Sequence, residues 1–218
     1  MIIGRTAGAD IVSVGMPGCP FDFVLFDLGG VLVRLGGVTS MQELSGLQSQ
    51  EELWTRWLSC RWVRSFERGL CSAQDFAAGV VNDWELPLTP ESFLEVFRAW
   101  PEAMFDGASE LVTNTRRHAR VGLLSNSNGL HWDLFSTWGL GALFDSTFLS
   151  HEMGRLKPDR EVFEYVVERI GSPPAAIVFL DDNQLNVDGA RAVGLTALRV
   201  QGPDEARAAL IDLGVLQR

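Results

Sequence analysis

The segment Phe21 to Phe26 (FDFVLF) runs into Asp27 and then Gly29-Gly30, and this arrangement limits the fold more than any other feature of the chain. An apolar run this short, ending in a carboxylate and two glycines, reads as a strand buried on both faces that stops in a tight loop. The glycines leave room at that loop for something to approach closely. Four further apolar segments have strand length, Val121 to Leu124, Ser146 to Leu149, Ile177 to Leu180 and Thr196 to Val200, and helical patterns separate them. Such alternation implies the α/β class, with a doubly wound parallel sheet, right-handed crossovers and helices on both faces.

The stretch from Arg34 to Phe105 departs from this rhythm, showing helices without intervening strands. Ser49 and Glu52 have capping-box spacing, Ser72 and Asp75 resemble a second such start, and Thr89-Pro90 offers a cap followed by proline at the first helical position. Apolar residues then recur at helical spacing, as in Phe76, Val80, Trp84 and in Phe93, Val96, Phe97, Trp100. The chain therefore divides into a sheet core at 21–33 and 106–218, a small all-helical insert at 34–105, and an N-terminal arm at 1–20. Trp54, Trp57, Trp62, Trp84 and Trp100 all fall in the insert. They are expected to pack its core, some of them walling a substrate pocket.

With 218 residues and 46% apolar content, the chain can bury the core of one α/β domain plus a small module. Its formal charge of −10 argues against nucleic acid or an anionic membrane as partner, since both require a basic face. Arg5 and Asp10 interrupt the first twenty residues, so neither a signal sequence nor a membrane span is expected there. Cys19, Cys60 and Cys71 fit neither a zinc site nor a disulfide framework, which makes a reducing cytoplasm the expected setting. A monomer and a homodimer are both compatible with this composition.

In a doubly wound sheet, ligands bind beyond the carboxyl ends of the strands. Asp27 follows the first strand, Ser125-Asn126 the second and Asp181-Asp182 the fourth, while Lys157 precedes the helix expected at Asp159 to Ile170. A carboxylate such as Asp27 can attack phosphorus to form an aspartyl-phosphate. Ser125 and the backbone N–H of Asn126 can donate to phosphoryl oxygens. Lys157 offers the positive charge that phosphoryl transfer requires. Adjacent acids at the rim of a core repel each other unless a cation satisfies them, and Mg²⁺ suits Asp181 and Asp182, with Asn186 one helical turn along to orient the ligands.

Together the segments FDLGGVL (Phe26 to Leu32), LLSNSN (Leu123 to Asn128), GRLKPDREVF (Gly154 to Phe163) and FLDDNQLNVDGA (Phe179 to Ala190) resemble the four ordered motifs of the haloacid-dehalogenase superfamily. The likeness is to its branch with a helical cap after the first strand, including glucose-1-phosphatase-like sugar-phosphate phosphatases and the amino-terminal phosphatase domain of soluble epoxide hydrolases. It implies a Rossmann-like core and a Mg²⁺-dependent phosphatase acting on a small phosphorylated substrate, with a sugar phosphate favoured. It further implies Asp27 as nucleophile and metal ligand, the Gly29 carbonyl and Asp182 as metal ligands, and Asp181 and Asn186 in support. Ser125 and Asn126 would hold phosphate, and Lys157 would act as charge clamp.

One position departs from the pattern. Most phosphatases of the superfamily carry a second Asp two residues after the nucleophile, to protonate the leaving oxygen and then deprotonate water, and here that position is Gly29. An acid/base of this kind is typically worth about 10²–10⁴ in rate. A cap residue, a bound water or a good leaving group is expected to substitute, with His131 and His151 as candidates. Two other readings are a non-catalytic phosphate-binding regulator and a metal-free haloacid dehalogenase. The latter predicts an aromatic residue at position 29 and no paired acids at 181–182.

Overall fold

Every residue of the first strand is buried, as its unbroken apolar run requires of a strand covered on both faces. The computed structural model describes residues 19–217, so the expected arm lies outside the described residues except for its last two positions. Along the chain, β1 (Phe23–Phe26) leads through loop 27–32 into β2 (Val33–Leu35), and five helices follow: α1 (Gly37–Ser45), α2 (Gln50–Ser59), α3 (Arg61–Glu67), α4 (Ala73–Trp84) and α5 (Pro90–Arg98). The chain returns through β3 (Pro101–Met104). It then alternates through α6 (Ala108–Thr115), β4 (Arg120–Ser125), α7 (Gly129–Thr137), β5 (Ser146–Leu149), α8 (Ser150–Met153), α9 (Arg160–Ile170), β6 (Ile177–Asp181), α10 (Gln184–Arg191), β7 (Thr196–Arg199) and α11 (Gly202–Asp212).

The main sheet is parallel, in the order β5-β4-β1-β6-β7. Side chains alternate between its faces. Val24, Phe26, Val121, Leu123, Val178 and Leu180 enter one core, while Phe23, Leu25, Leu124, Ile177 and Phe179 enter the other. Because β1 lies between β4 and β6, with Phe26 level with both Leu123 and Leu180, three strands end side by side. That register alone brings Asp27, Ser125 and Asp181 to one edge.

The helical insert has a core of its own, in which Trp57 lies at 4.8 Å from Trp100 and Phe66 stacks on Phe76 at 4.4 Å. Its helices start where the sequence indicates. Ser49, Ser72 and Thr89 accept hydrogen bonds from the backbone N–H groups of Glu52, Asp75 and Ser92. The return bond of the first box is displaced by one residue, since Glu52 Oε2 accepts from Gln48 N instead of Ser49 N.

The expectation of helices alone between residues 34 and 105 needs correction. β2 and β3 form an antiparallel ribbon at the base of the insert, pairing Val33 with Met104 and Arg34 with Ala103. These strands of three and four residues are too short to show alternation, and Pro101, tolerated at the start of an edge strand, disguises the second. No helix among the described residues is long and apolar enough to cross a membrane.

Candidate active site

Lys157 is 1% exposed, yet it carries an ammonium group at the floor of a cavity. Its Nζ donates to Asp27 Oδ1 and to Asp181 Oδ2, each at 2.6 Å. The lysine backbone is held in turn by Asn126, whose Oδ1 accepts from Lys157 N and whose Nδ2 donates to Lys157 O, both at 2.9 Å. Asn126 thus aims the lysine from the end of β4, a use of its side chain that the sequence does not announce. Ser125 is buried beside it, and its hydroxyl donates to the Asn126 carbonyl at 3.3 Å.

The two acids after β6 differ. The carboxylate of Asp181 is saturated, accepting from Lys157 Nζ, from Asn183 N at 2.8 Å, and from Asn186 Nδ2 at 3.0 Å on both oxygens. Among the described residues, that of Asp182 receives only its own backbone N–H. Gly30 permits this placement: at φ +71°, a Cβ there would lie 2.2 Å from Asp182 Oδ2. Gly29 lines the cavity next to Asp27, and a Cβ on it would meet Leu35 Cδ1 at 2.7 Å.

Asp27, Asp181 and Asp182 offer oxygens within 4.8 Å of one another. With one ammonium against three carboxylates, the cluster carries excess negative charge. Burial, opposed by Lys157 and reinforced by Asp181, pushes the Asp27 carboxyl up to about 7. Burial and the charges of Asp27 and Asp181 push Asp182 up to about 8. Desolvation would depress the Lys157 ammonium, but the charges of Asp181 and Asp27 outweigh it and hold its pKa above the ordinary value. An all-oxygen donor set, a carboxylate lacking an external donor and the buried Asn186 Oδ1 without a partner together fit a hard divalent cation.

The cavity has a volume of about 110 Å³ and is lined from the core by Asp27, Ser125, Asn126 and Lys157 and from the insert by Trp54, Trp57, Leu58, Phe97 and Trp100. A second, wider recess of about 480 Å³ shares Leu35, Trp54 and Asp182 with it. Trp54, Trp57 and Trp100 therefore wall the site. Trp62 and Trp84 serve the insert instead, Trp62 donating to Asp83 and Trp84 lying beneath Arg56.

Neither histidine is placed as a proton donor. His131 Nε2 donates to the Phe97 carbonyl at 2.7 Å, its Nδ1 faces Asn128 Nδ2 at 3.3 Å, and burial pulls its pKa down to about 4, so a neutral ring ties the insert to the core. His151 lines neither cavity.

Four polar residues lining the cavity, Ser127, Asn128, Asn183 and Glu67, escaped the sequence reading. Ser127 Oγ is buried without a partner among the described residues; its place in LLSNSN was the available signal. Glu67, the last residue of α3, is 8% exposed and faces the same space. No local pattern distinguishes it from a solvated helical glutamate.

A family model described as haloacid dehalogenase-like hydrolase matches residues 21–194. The chain belongs to this family. Among curated relatives, the D-ribitol-5-phosphate phosphatase of Bacteroides thetaiotaomicron is 24% identical over 180 residues, covering 78% of this chain and 87% of the relative. Drimenol cyclase drtB of Aspergillus calidoustus is 38% identical over 71 residues, 33% of this chain, and the match spans only 13% of the cyclase. A solved haloacid-dehalogenase-family enzyme of B. thetaiotaomicron, in complex with magnesium and inorganic phosphate, has the same fold with a TM-score of 0.64 at 23% identity, covering 83% of this chain and 94% of that one.

Proposed function

We propose that this family member is a Mg²⁺-dependent phosphatase that hydrolyses a small phosphorylated metabolite through an aspartyl-phosphate on Asp27. The observation that carries this reading is the buried Lys157 ammonium held 2.6 Å from Asp27, beside an Asp182 carboxylate left without an external donor. The phosphatase relative supports it. Residues 21–33 and 106–218 form the catalytic core in this proposal, and residues 34–105 the cap.

Asp27 Oδ attacks phosphorus, the P–O bond to the alcohol breaks, and the alkoxide leaves with a proton. Water then attacks phosphorus, the bond to Asp27 breaks, and inorganic phosphate departs. Asp27, Asp182 and the Gly29 carbonyl would hold Mg²⁺, which when bound supplies positive charge that offsets the phosphate dianion. Lys157 adds a second positive charge, while Ser125 and the backbone N–H of Asn126 donate to the phosphoryl oxygens. Asp181 and Asn186 are positioning residues that keep the ammonium and the metal ligands in place.

A metal-free attack on carbon has less support, because Gly29 offers no aromatic side chain and three carboxylates crowd a site with one ammonium. Trp54, Leu58, Phe97 and Trp100 contribute mostly apolar surface, which favours an ester of an apolar alcohol, whereas Trp100 Nε1 and Ser127 Oγ, without partners among the described residues, offer hydrogen bonds to the hydroxyls of the favoured sugar phosphate. Magnesium-dependent release of phosphate from p-nitrophenyl phosphate, abolished by Asp27→Asn, is the direct test. Phosphate binding without turnover would instead mark a regulator, and a screen of apolar against sugar phosphates would rank the substrate classes.

A further inference from the structure

Alcohol release needs a proton at the moment the ester bond breaks, and the loop after Asp27 has no side chain to give one. Position 29 is glycine, and Leu35 occupies the space that a side chain there would enter. Any donor must therefore come from elsewhere in the cavity wall. Lys157 is committed to two carboxylates, and His131 is neutral with its Nε2–H bound to Phe97. Asp181 is saturated.

Among the described residues lining the cavity, the insert contributes one carboxyl. Glu67 ends α3, and that helix is fastened to the core where α9 begins. Arg64 and Arg68 both donate to Asp159, two residues beyond Lys157 and 95 and 91 positions from their arginines, and Arg68 reaches Glu161 as well. Glu67 lines the same cavity as Asp27 and Lys157. Its side-chain partner is the Trp57 indole, which donates to it. The charges acting on it come from Lys157 and Asp27 in the same cavity and from Arg64 on its own helix.

Resting on the phosphatase reading, we propose that Glu67 is the acid/base of the reaction, supplied by the cap. As the ester P–O bond breaks, the Glu67 carboxyl gives its proton to the leaving oxygen. The resulting carboxylate then takes a proton from the water that attacks the phosphorus on Asp27. Ester and water become alcohol and phosphate, and Glu67 ends protonated as it began. Burial, the largest influence, pushes this carboxyl up to about 7, so the donor form is well populated near neutrality. In this arrangement the core supplies the nucleophile and the insert supplies the proton.

The test compares Mg²⁺-loaded wild type with Glu67→Gln on p-nitrophenyl phosphate, whose leaving group needs no proton, and on a primary alkyl phosphate, which does. Formation of the phosphorylated enzyme in a single turnover should fall by about 10²–10⁴ with the alkyl ester and by less than about tenfold with the aryl ester. Hydrolysis of the phosphorylated enzyme should slow for both, giving Glu67→Gln a burst of p-nitrophenol followed by slow turnover. Glu67→Asp, which keeps a carboxyl, should recover part of the alkyl activity. Equal losses on the two esters in the first step, an unimpaired Glu67→Gln, or Glu67→Asp no better than Glu67→Gln on the alkyl ester would each overturn the assignment. A wild type inactive on every ester would instead remove the phosphatase reading beneath it.

Discussion

Asn126 and Lys157 are joined by two hydrogen bonds of 2.9 Å, side chain to backbone, so the residue after β4 holds both the N–H and the carbonyl of the lysine that reaches Asp27. Asn126→Ala would leave two backbone groups without partners at a buried position, at about 1–3 kcal/mol each for a group left unsatisfied. The variant should unfold at lower urea concentration. Its kcat should fall about 10- to 100-fold, because a displaced ammonium no longer meets Asp27. Asn126→Asp keeps the acceptor but loses the donor and should retain the N–H bond alone. Urea titration and steady-state kinetics on the same preparations measure both effects.

The acidic cluster contributes to how metal-free stability depends on pH, alongside Glu67. Asp27 and Asp182 both sit above the ordinary value of 3.8 in the folded protein, at about 7 and about 8. The folded state therefore binds protons more tightly than the unfolded chain. Their stabilising contribution is complete below about pH 4 and is lost as pH rises through about 7 to 8. In EDTA, the melting temperature should drop progressively between about pH 4 and about pH 8 by several degrees, on the order of 2–4 °C for each kcal/mol. Adding Mg²⁺ should raise it more at pH 8 than at pH 5. Asp182→Asn should flatten the slope in EDTA and remove most of the response to the metal. Thermal melts at four or five pH values, with and without Mg²⁺, decide the matter, and a melting temperature that climbs from pH 5 to pH 8 in EDTA would contradict it.

How far the sequence reaches can be judged from particular residues. β1, β4 and β6 were legible because strands buried on both faces leave continuous apolar runs. The expectation that polar residues gather at their ends is met for Asp27, Ser125, Asp181 and Asp182, since parallel pairing through Phe26 puts those ends together. The division of labour between Asp181 and Asp182 was not legible, because it depends on where Lys157 and Asn186 direct their N–H groups. β2 and β3 are too short for a period to emerge. Glu67 was invisible for a different reason. Among Arg64, Arg68 and other polar helical residues it looks like a solvated face, and only contacts from α3 to Asp159, more than ninety positions away, turn it inward.

Gly30 gives a test of metal binding that leaves every proposed ligand unchanged. At φ +71° its hydrogen faces Asp182, and a methyl there would come within 2.2 Å of Oδ2. Gly30→Ala must move either the loop or the carboxylate, and it also places a side chain in a left-handed conformation at about 1 kcal/mol. Mg²⁺ affinity measured by calorimetry should weaken by at least tenfold. Gly107→Ala provides the control, because it has a similar φ of +79° with nothing within 4 Å of a Cβ. It should lose comparable stability and keep the affinity. Equal affinities in the two variants would detach Asp182 from the metal.

A buried acid that serves a reaction should burden the fold. Burial holds Glu67 at about 7 against an ordinary 4.5, so above neutrality the folded protein must either carry a desolvated charge or retain a proton that the unfolded chain would release. The sign follows from linkage: a raised carboxyl withdraws stability as pH climbs through its folded value. Glu67→Gln keeps the size and an acceptor for the Trp57 indole while removing the titration. At pH 8 the variant should therefore exceed the wild type by roughly 1–3 kcal/mol in urea unfolding, and at pH 4 the two should agree within about 0.5 kcal/mol. A gain in stability at alkaline pH together with the loss of alkyl-phosphate turnover is the combination expected of a group held for chemistry. A Glu67→Gln protein less stable than the wild type at pH 8 would mean that the carboxylate is satisfied where it lies and that its burial serves the packing of the cap.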